Sequence, residues 1–259
     1  QIIPHPSLDK LKYVLQKYDK ILVENDNSER AWHLFNNRQF FPQLSFFFPT
    51  PSSQMQKNDF LFDPNIPMAS NISQGCATLL GTSPSKKNGL SIPEDKTFRK
   101  YPRRIVIHPT SNDVKRNWKK EQFFKLAALL EKQNYKVIFC VKSNEKKTWK
   151  APYFKNLKEI SEYLYESGFF IGNDSGIGHL ASNLGIPTLT ISGNPNRTRL
   201  WRPDWCLNHV VSPLFPLPNF KGINFRLREN FWQHFISPNR ILKTFQKFVC
   251  EYESCSRLF

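Results

Sequence analysis

The stretch FFIGNDSGIGHLASNLGIP, residues 169–187, has the order of a buried strand, a tight turn and a short helix. The turn contains Asp174, Ser175 and Gly176, and the helix is predicted over residues 176–184. A helix that begins after a turn of small residues leaves several backbone N–H groups unpaired beside the positive end of its dipole. Such a helix start can bind phosphate oxygens, so the stretch predicts an anion site at the end of a strand.

Outward from this stretch, short β-branched or aromatic runs alternate with helical patterns from Arg104 onward. That alternation is typical of parallel βαβ construction and predicts a doubly wound α/β sheet. The proline-containing segment at residues 207–218 is predicted as a loop. The predicted strands are residues 104–108, 137–141, 169–171 and 188–191, and the predicted helices are residues 121–132, 159–165, 176–184 and 237–252.

The first hundred residues have weaker periodicity and are rich in Pro, Asn, Ser and Gln. Strands are nevertheless predicted at residues 20–24 and 44–48, because both runs are apolar and bounded by polar residues. A helix is predicted between them at residues 28–37, and Ser28 is a suitable N-cap for it.

A linker is predicted at residues 86–102, where Lys, Gly, Ser and Pro replace apolar residues. We therefore predict two domains, a shortened N-terminal domain at residues 1–95 and a larger C-terminal domain at residues 96–259. No internal repeat is visible along the sequence.

The chain has 259 residues with 37 Lys and Arg against 21 Asp and Glu, so its formal net charge is +16. Such a surface attracts phosphates, acidic glycans, nucleic acid or an anionic lipid leaflet. No apolar run approaches the roughly 20 residues that a membrane-spanning helix needs. The five cysteines are odd in number and include no CxxC pair, which argues against a disulfide framework or a zinc site and favours a reducing compartment.

Two further strand ends carry groups suited to a nucleotide. One predicted strand is followed by Thr110, Ser111, Lys115 and Arg116, and the next is followed by Glu145. The carboxyl ends of parallel strands share one edge of a sheet, so hydroxyls, cations and a helix start would form a diphosphate cradle there. The carboxylate would be placed for ribose hydroxyls. Each group alone is more often a solvated loop residue, and the convergence of three strand ends is what favours a binding site.

Simpler alternatives exist for these groups. Asp174 or Ser175 could only cap the helix, and His179 could contact a diphosphate or merely brace the turn. The three arginines within residues 197–202 could bind acidic acceptor groups or be solvated. A hydrolase triad is disfavoured, because the scattered histidines have no Ser or Cys partner at motif spacing.

Six motifs follow one another in the second half of the chain. They are HPTS at residues 108–111, KRNW at 115–118, SNE at 143–145, GNDSGIGHLA at 172–181, LGIPTLTISG at 184–193 and WRP at 201–203. This order resembles the C-terminal domain of glycosyltransferase family nine, the lipopolysaccharide heptosyltransferases, over about residues 104–249. The pattern DSGxxHLAxxLGxPT is its most specific part. The resemblance implies the GT-B fold, with two Rossmann-like doubly wound parallel-sheet domains, the N-terminal one shortened here.

The resemblance also implies that the C-terminal domain binds an ADP-linked sugar donor. The family usually has a lysine two residues before the tryptophan of KRNW; Arg116 holds that place here and Lys115 adjoins it, so either cation could reach the phosphate. The donor residues that the resemblance implies are Asp174, Ser175 and Gly176 in the diphosphate loop, His179 in its helix, Thr110 and Ser111 at the phosphates and Glu145 at the ribose. The backbone amides of the same turn and helix start add Ile177 and Gly178 to the predicted donor site.

The implied reaction is inverting transfer of a heptose-like sugar from a nucleotide-diphosphate donor to lipopolysaccharide or another glycan. Lys115 or Arg116, together with hydroxyls and loop amides, would neutralise the charge on the leaving diphosphate. No carboxylate cluster of metal-ligand spacing appears in the sequence. We therefore expect a metal-independent transferase that needs no cofactor.

The acceptor side departs from the family. Family members carry near their start a glycine-containing turn with an Asp that resembles a general base, and no such element is visible here. We expect either that residues are missing from the front or that the acceptor side is reorganised. Glu24, Asp26 and Glu29 follow the first predicted strand, and Glu24 and Asp26 are the candidate bases, although each is more often an ordinary surface acid or a cap. The alternative function is a noncatalytic nucleotide-sugar-binding or glycan-binding relative that lacks this base.

The basic charge also suggests partners and a location. It suits an anionic glycan or lipid-linked acceptor, and we expect a cytoplasmic protein with peripheral contact at the inner face of the inner membrane. Specific binding of nucleic acid is not expected, because the basic residues are dispersed and no nucleic-acid-binding module is visible.

Overall fold

The chain forms two compact units, Gln1–Lys86 and Lys87–Phe259. Each unit contains one wholly parallel sheet with helices packed on both faces. The computed structural model describes residues 7–26, 28–85, 88–215 and 231–256.

The first unit contains a three-stranded sheet with the order β1-β2-β3. The two strands predicted in this region are confirmed, and so is the helix capped by Ser28, whose Oγ accepts a hydrogen bond from the Ala31 N–H at 3.2 Å. The elements are α1 (Leu8–Leu15), β1 (Ile21–Glu24), α2 (Glu29–Asn36), a 3-10 turn (Arg38–Phe40), β2 (Leu44–Phe48), β3 (Phe60–Leu61) and α3 (Met68–Leu80).

Strand β2 is the centre of this unit and is buried along its whole length. Phe46 and Phe48 pack with the leucines of α1 and α2 on one face, while Phe47 packs with Met68 of α3 on the other. Gly75 of α3 allows this close contact, because a Cβ there would lie 2.6 Å from the Phe47 ring. The all-apolar run LSFFF therefore forms a strand covered on both sides.

A buried ion pair fixes the loop before β3. The Arg38 guanidinium donates from Nη1 and Nη2 to the two carboxylate oxygens of Asp59, at 3.1 and 2.9 Å. The Asp59 side chain is fully buried and also accepts from the backbone N–H groups of Phe46 and Gln56. The carboxylate thus has four donors, which is what a buried charge needs.

Replacing Arg38 with methionine should therefore destabilise the first unit. The variant Arg38→Met leaves Asp59 buried without its counter-charge, and we expect a loss of about 3 kcal/mol in the free energy of unfolding. Hydrogen exchange of the β2 amides measures this free energy locally. The exposed Lys17→Met is the matched control and should change it by less than about 0.5 kcal/mol. Equal exchange in both variants would show that the pair adds no stability.

The second unit contains a five-stranded sheet with the order β5-β4-β6-β7-β8. All neighbouring strands pair in parallel. The elements are β4 (Tyr101–His108), a 3-10 turn (Val114–Arg116), α4 (Lys120–Glu131), β5 (Lys136–Phe139), α5 (Lys146–Trp149), α6 (Leu157–Tyr165), β6 (Ser167–Asn173), α7 (Gly176–Asn183), β7 (Thr188–Ile191), α8 (Pro195–Trp201), β8 (Asn208–Val211), a 3-10 turn (Trp232–Phe235) and α9 (Pro238–Ser256).

Side chains of the central strands alternate between two cores. Ile105 and Ile107 of β4 belong to the core covered by α4 and α9, whereas Val106 belongs to the core covered by α6 and α7. In β6, Ile171 faces the first core and Phe170 the second. The predicted doubly wound sheet is therefore confirmed.

The predicted loop at residues 207–218 is wrong over residues 208–211, which form β8. This strand pairs in parallel with β7, and the Thr188 N–H donates to the Leu207 carbonyl while the Ser192 N–H donates to the Val211 carbonyl. Pairing along the edge of β7 outweighs the low strand propensity of the first residues of β8. The rest of the predicted loop reaches residues 216–218, which lie outside the described residues.

The strand order reverses between β4 and β6, because the chain runs from β4 outward to β5 and then returns to the other side of β4. Ligands of such sheets bind at this switch point, beyond the carboxyl ends of the strands. In the described ranges, no helix combines the length and the apolar character needed to cross a bilayer.

Candidate functional site

A cavity of about 470 Å³ lies at the carboxyl ends of β4, β5 and β6, at the switch point. The structure thus brings together the three loops whose convergence the sequence predicts. We call this cavity the switch-point cavity. Its polar lining includes Thr110, Ser111, Arg116, Lys142, Asp174, Ser175 and Gly176, and its apolar lining includes Val141, Leu157, Ile160, Ile177 and Leu180.

Glu145 joins the loops after β4 and β5. Its Oε2 accepts a hydrogen bond from the hydroxyl of Thr110 at 3.2 Å and a longer one from the backbone N–H of Lys142 at 3.4 Å. The Lys142 ammonium also donates to Asn112 Oδ1 at 3.1 Å. Two walls of the cavity are therefore tied to each other, with a carboxylate at their junction.

The loop after β4 is fixed by side-chain amides. Asn173, the last residue of β6, accepts from the Trp118 N–H at 3.1 Å, and Ser111 Oγ lies 2.8 Å from Asn117 Oδ1. The hydroxyl protons of Thr110 and Ser111 are thus directed at protein acceptors. A phosphate contact from either of them requires rotation of the hydroxyl, and this role stays a prediction.

Asp174 contacts two guanidinium groups, that of Arg116, which lines the switch-point cavity and also pairs with Asp113 at 3.6 Å, and that of Arg197, which lines the adjoining cavity. Its Oδ2 lies 3.1 Å from Arg197 Nε and 3.8 Å from Arg116 Nη1. The Asp174 side chain is only 8% exposed, whereas the two arginines are partly exposed, so the carboxylate is the fixed member of the group. Asn194 holds the start of α8 by accepting from the Arg197 N–H at 3.1 Å. The acid in the predicted phosphate loop is therefore paired with cations and holds their guanidinium groups beside the loop.

The N-terminus of α7 forms the floor beside Asp174. Ser175 is its N-cap residue but makes no capping bond, and its buried Oγ has no hydrogen-bond partner within the described part of the chain. The N–H groups of Gly178 and His179 both donate to the Ser175 carbonyl. Gly176 and Ile177, the first residues of the helix, line the cavity with N–H groups that precede the intrahelical ladder. A buried orphan hydroxyl beside these amides is suited to a polar ligand.

Three predicted donor residues do not line the cavity: Glu145, which contacts the lining through Thr110 and Lys142, Gly178 and His179. Gly178 is not part of the cavity lining; it is buried, and a Cβ there would lie 3.2 Å from the Phe170 ring, so its glycine serves helix–sheet packing. His179 is also outside the lining and hydrogen-bonds to the backbone of Trp201 at the end of α8. This contact joins α7 to the end of α8, and the role of His179 at a diphosphate stays a prediction.

A second cavity of about 310 Å³ adjoins the first, and Arg116 lines both. Its wall is close-packed: a Cβ on Gly193 would lie 2.3 Å from Trp232, whose indole N–H donates to the Lys115 carbonyl at 2.9 Å. Arg197 also lines it. From the sequence, Arg197 could either bind acidic acceptor groups or be solvated. The segment SGNP, which follows β7 at the carboxyl ends of the strands, is the sequence feature that indicates its position near the site.

His108 and His179 should make stability depend on pH. Burial lowers the pKa of both below the usual histidine value, and Nδ1 of His108 lies 2.6 Å from the Cys140 carbonyl. The unfolded chain therefore binds protons first, so the free energy of unfolding should fall as pH drops below about 6.5, by at most roughly 1.4 kcal/mol per pH unit for each histidine.

Urea unfolding between pH 8 and pH 5 measures this slope. The double variant His108→Gln/His179→Gln should flatten it, whereas His33→Gln should leave it unchanged. A slope that persists in the double variant would assign it to other groups.

The candidate bases lie at the carboxyl end of β1 in the first unit. Partial burial, and secondarily the charge of Asp26, raises the pKa of Glu24. Hydrogen bonds from Ser28, whose backbone N–H donates at 2.9 Å, lower the pKa of Asp26. Glu24 is therefore the better proton acceptor of the two at neutral pH.

No group of three or more His, Cys, Asp or Glu side chains that could hold a metal ion occurs within the ranges that the structure describes. Cys76, Cys140, Cys206 and Cys250 are free thiols. Burial raises the pKa of Cys140 to about 12 and that of Cys206 to about 11, so neither is a reactive thiolate.

Residues 83–221, more than half of the chain, match the family model of glycosyltransferase family 9 (heptosyltransferase). None of the curated proteins matches the sequence. Among solved structures, the glycosyl transferase family 9 protein from Veillonella parvula DSM 2008 has a TM-score of 0.61 and 16% identity, covering 93% of this chain and 76% of that one. The E. coli ADP-heptose lps heptosyltransferase II has a TM-score of 0.56 and 15% identity, covering 94% and 81%.

A third structure, E. coli heptosyltransferase WaaC with ADP-2-deoxy-2-fluoro heptose, has a TM-score of 0.52 and 13% identity and covers 79% of this chain and 64% of that one. At these identities the likeness shows the fold alone. It confirms the predicted GT-B architecture.

Proposed function

Because the chain belongs to glycosyltransferase family 9 (heptosyltransferase), we propose that its second unit binds an ADP-linked, heptose-like sugar at the switch-point cavity. The first unit, in this proposal, supplies the acceptor side of an inverting transfer to lipopolysaccharide or another glycan. The printed names of two similar structures, an ADP-heptose heptosyltransferase and an enzyme with an ADP-heptose analogue, support the choice of donor.

The observation that carries the proposal is the group formed by Arg116, Asp174, Arg197 and the start of α7, where the two cavities adjoin: Arg116 lines both, Asp174 lines the switch-point cavity and Arg197 lines the second cavity. Two guanidinium groups and a helix N-terminus are arranged around space that a diphosphate can enter. Each favours negative charge, and a phosphate oxygen can accept from all of them. The orphan Ser175 hydroxyl adds a further donor to the same place.

This group also provides for the chemistry. When the anomeric C–O bond breaks, its electron pair leaves with the diphosphate, so negative charge grows next to Arg116 and Arg197. Donors that are already oriented stabilise that charge without reorganisation. Two guanidinium groups can thus do what a divalent cation does elsewhere, and on this ground we propose that the transfer is metal-independent.

The nucleoside would occupy the part of the cavity toward β5. Val141, Leu157 and Ile160 give this part an apolar wall suited to a base. Glu145 contacts Thr110 of the cavity lining, and its carboxylate could accept from vicinal ribose hydroxyls there. The nucleotide would then span the cavity, with its ribose near Glu145 and its phosphates near Asp174.

Glu24 is the proposed general base, with Asp26 as the second candidate. The base would take the proton of the acceptor hydroxyl as that oxygen attacks the anomeric carbon from the face opposite the diphosphate. The raised pKa of Glu24 supports this choice over Asp26. In the alternative proposal the chain is a noncatalytic nucleotide-sugar-binding relative. It would bind the donor in the same way but would have no general base for the acceptor hydroxyl.

The net charge of +16 supports an anionic glycan or lipid-linked acceptor, reached by peripheral contact at the inner face of the inner membrane. In this proposal the protein otherwise resides in the cytoplasm.

Calorimetric titration with ADP, ADP-heptose and a UDP-sugar tests the donor site. We expect the chain to bind ADP and ADP-heptose. The variant Glu145→Gln should weaken both by about tenfold, because one charge-assisted hydrogen bond to the ribose becomes neutral. Glu131→Gln, which changes an exposed acid at the end of α4, is the matched control and should bind like the wild type.

The possible outcomes separate the alternatives. If the wild type binds none of the nucleotides, the donor-site assignment is wrong. If it binds ADP-heptose but releases no ADP with any truncated lipopolysaccharide acceptor, the noncatalytic alternative is favoured.

A further inference from the structure

A cavity of about 540 Å³ lies at the amino ends of strands β4 and β5, on the side of the second sheet opposite the switch-point cavity. The proposed transfer does not use it. Four cations line it, namely Lys100, Arg103, Arg104 and Lys136, and we call them the amino-edge cluster. Arg104 and Lys136 are register partners on the neighbouring strands β4 and β5, so the fold itself places these charges together. None of the residues that line the cavity is acidic.

Arg104 is the unusual member because it is buried, with 7% exposure. Its Nε donates to Ser167 Oγ at 2.8 Å and its Nη2 to the Tyr163 carbonyl at 2.9 Å. Its guanidinium carbon also lies 3.9 Å from the centre of the Tyr163 ring. All of these partners are neutral, and no ion pair of Arg104 occurs among residues 7–26, 28–85, 88–215 and 231–256. A buried guanidinium normally has an anionic partner.

Helix ends compensate only part of this charge. Arg103 donates to the carbonyls of Gln133 and Asn134 just beyond α4, and Arg104 bonds within the last turn of α6. A helix C-terminus is equivalent to about half a negative charge. Two such ends leave roughly three of the four positive charges of the amino-edge cluster uncompensated.

We propose that the amino-edge cluster is a second anion site, which binds the phosphate group of a small phosphorylated molecule or of a lipid headgroup. Several cations around one cavity favour an anion with more than a single charge over a carboxylate. The volume exceeds that of a bare phosphate ion and lies in the range of small-molecule sites. The site is independent of the donor site, which lies at the other edge of the same sheet.

Two probes distinguish the sources of phosphate. Inorganic phosphate is titrated while the ¹H–¹⁵N signal of the Arg104 Nε–H group is followed. Sedimentation with phosphatidylcholine vesicles, with and without phosphatidylglycerol, tests the headgroup. We expect a saturable shift with phosphate, sedimentation only with the anionic vesicles, or both. In Lys100→Ala/Lys136→Ala, whose replaced side chains are exposed, either response should weaken about tenfold.

Matched variants keep the test specific. Lys125→Ala/Lys247→Ala removes the same charge from exposed positions on α4 and α9 and should bind like the wild type. Arg116→Ala/Arg197→Ala, at the donor site, should also keep the response. Arg104→Met tests the buried group directly, and the lysine pair stands in for it if that variant does not fold. No response to either probe overturns the proposal, and so does an equal loss in the Lys125/Lys247 control, since net charge alone then explains the binding.

Discussion

Replacing both Arg116 and Arg197 with alanine is expected to lower kcat/KM for sugar transfer by about 10⁴-fold. In the proposed reaction, each guanidinium group stabilises the charge that develops on the leaving diphosphate, and removal of one such donor typically lowers the rate by about 10²-fold. The loss is increased because Asp174, whose side chain is 8% exposed, keeps its negative charge beside the incoming phosphates after both partners are gone. The rate is measured as ADP released from ADP-heptose in the presence of acceptor.

Affinity gives a second readout for the same variant. We expect ADP to bind about 10²-fold more weakly, because two charge-assisted contacts are lost and both side chains are partly exposed. The Lys125→Ala/Lys247→Ala variant lowers the net charge equally and should retain rate and affinity. Unchanged ADP affinity in the arginine variant would move the phosphate site away from Asp174.

The variant Glu24→Gln is expected to lower kcat by 10²–10⁴-fold while the affinity for ADP-heptose stays unchanged. A glutamine cannot take the proton of the acceptor hydroxyl, and general base catalysis typically contributes a factor of this size. Because burial and Asp26 raise the pKa of Glu24, the rate of the wild type should rise with pH through a pKa above the usual glutamate value. Asp26→Asn removes the second of these causes and should move this rise to lower pH.

Asp19→Asn is the matched control, since Asp19 is an exposed acid at the amino end of the same strand. It should leave both kcat and its pH profile as in the wild type. Full activity of Glu24→Gln would exclude Glu24 as the base and direct attention to Asp26. Bound donor without turnover in the wild type would instead favour the noncatalytic alternative.

The elements that the sequence predicts well are those whose local pattern and tertiary environment agree. Strand β7 has the predicted bounds, because its run TLTI is β-branched and follows Pro187. Strand β8 is missed because Asn208 and His209 have low strand propensity, and only its hydrogen bonds to β7 make it a strand. Pairing of distant segments is not visible in a local window.

The candidate site shows the same division. The turn at Asp174 is predicted from neighbouring residues, whereas Arg197 joins it across 23 positions, through a contact between the turn after β6 and helix α8. The sequence does not indicate which of three nearby arginines makes that contact. Gly178 is predicted at the ligand, and in the structure a Cβ there would lie 3.2 Å from the Phe170 ring, a close contact that the local sequence does not show. A glycine near a binding loop can serve packing as well as ligand approach.

Asp174 pairs with two guanidinium groups, so its carboxylate competes with any incoming anion for Arg116 and Arg197. A nucleoside monophosphate must draw the arginines away with a single phosphate while being repelled by this carboxylate, so its net gain is small. A diphosphate offers a second set of oxygens and can engage Arg116 and Arg197 together. We therefore expect the ion pairs of Asp174 to select for a nucleoside diphosphate over a monophosphate, whatever sugar the donor carries.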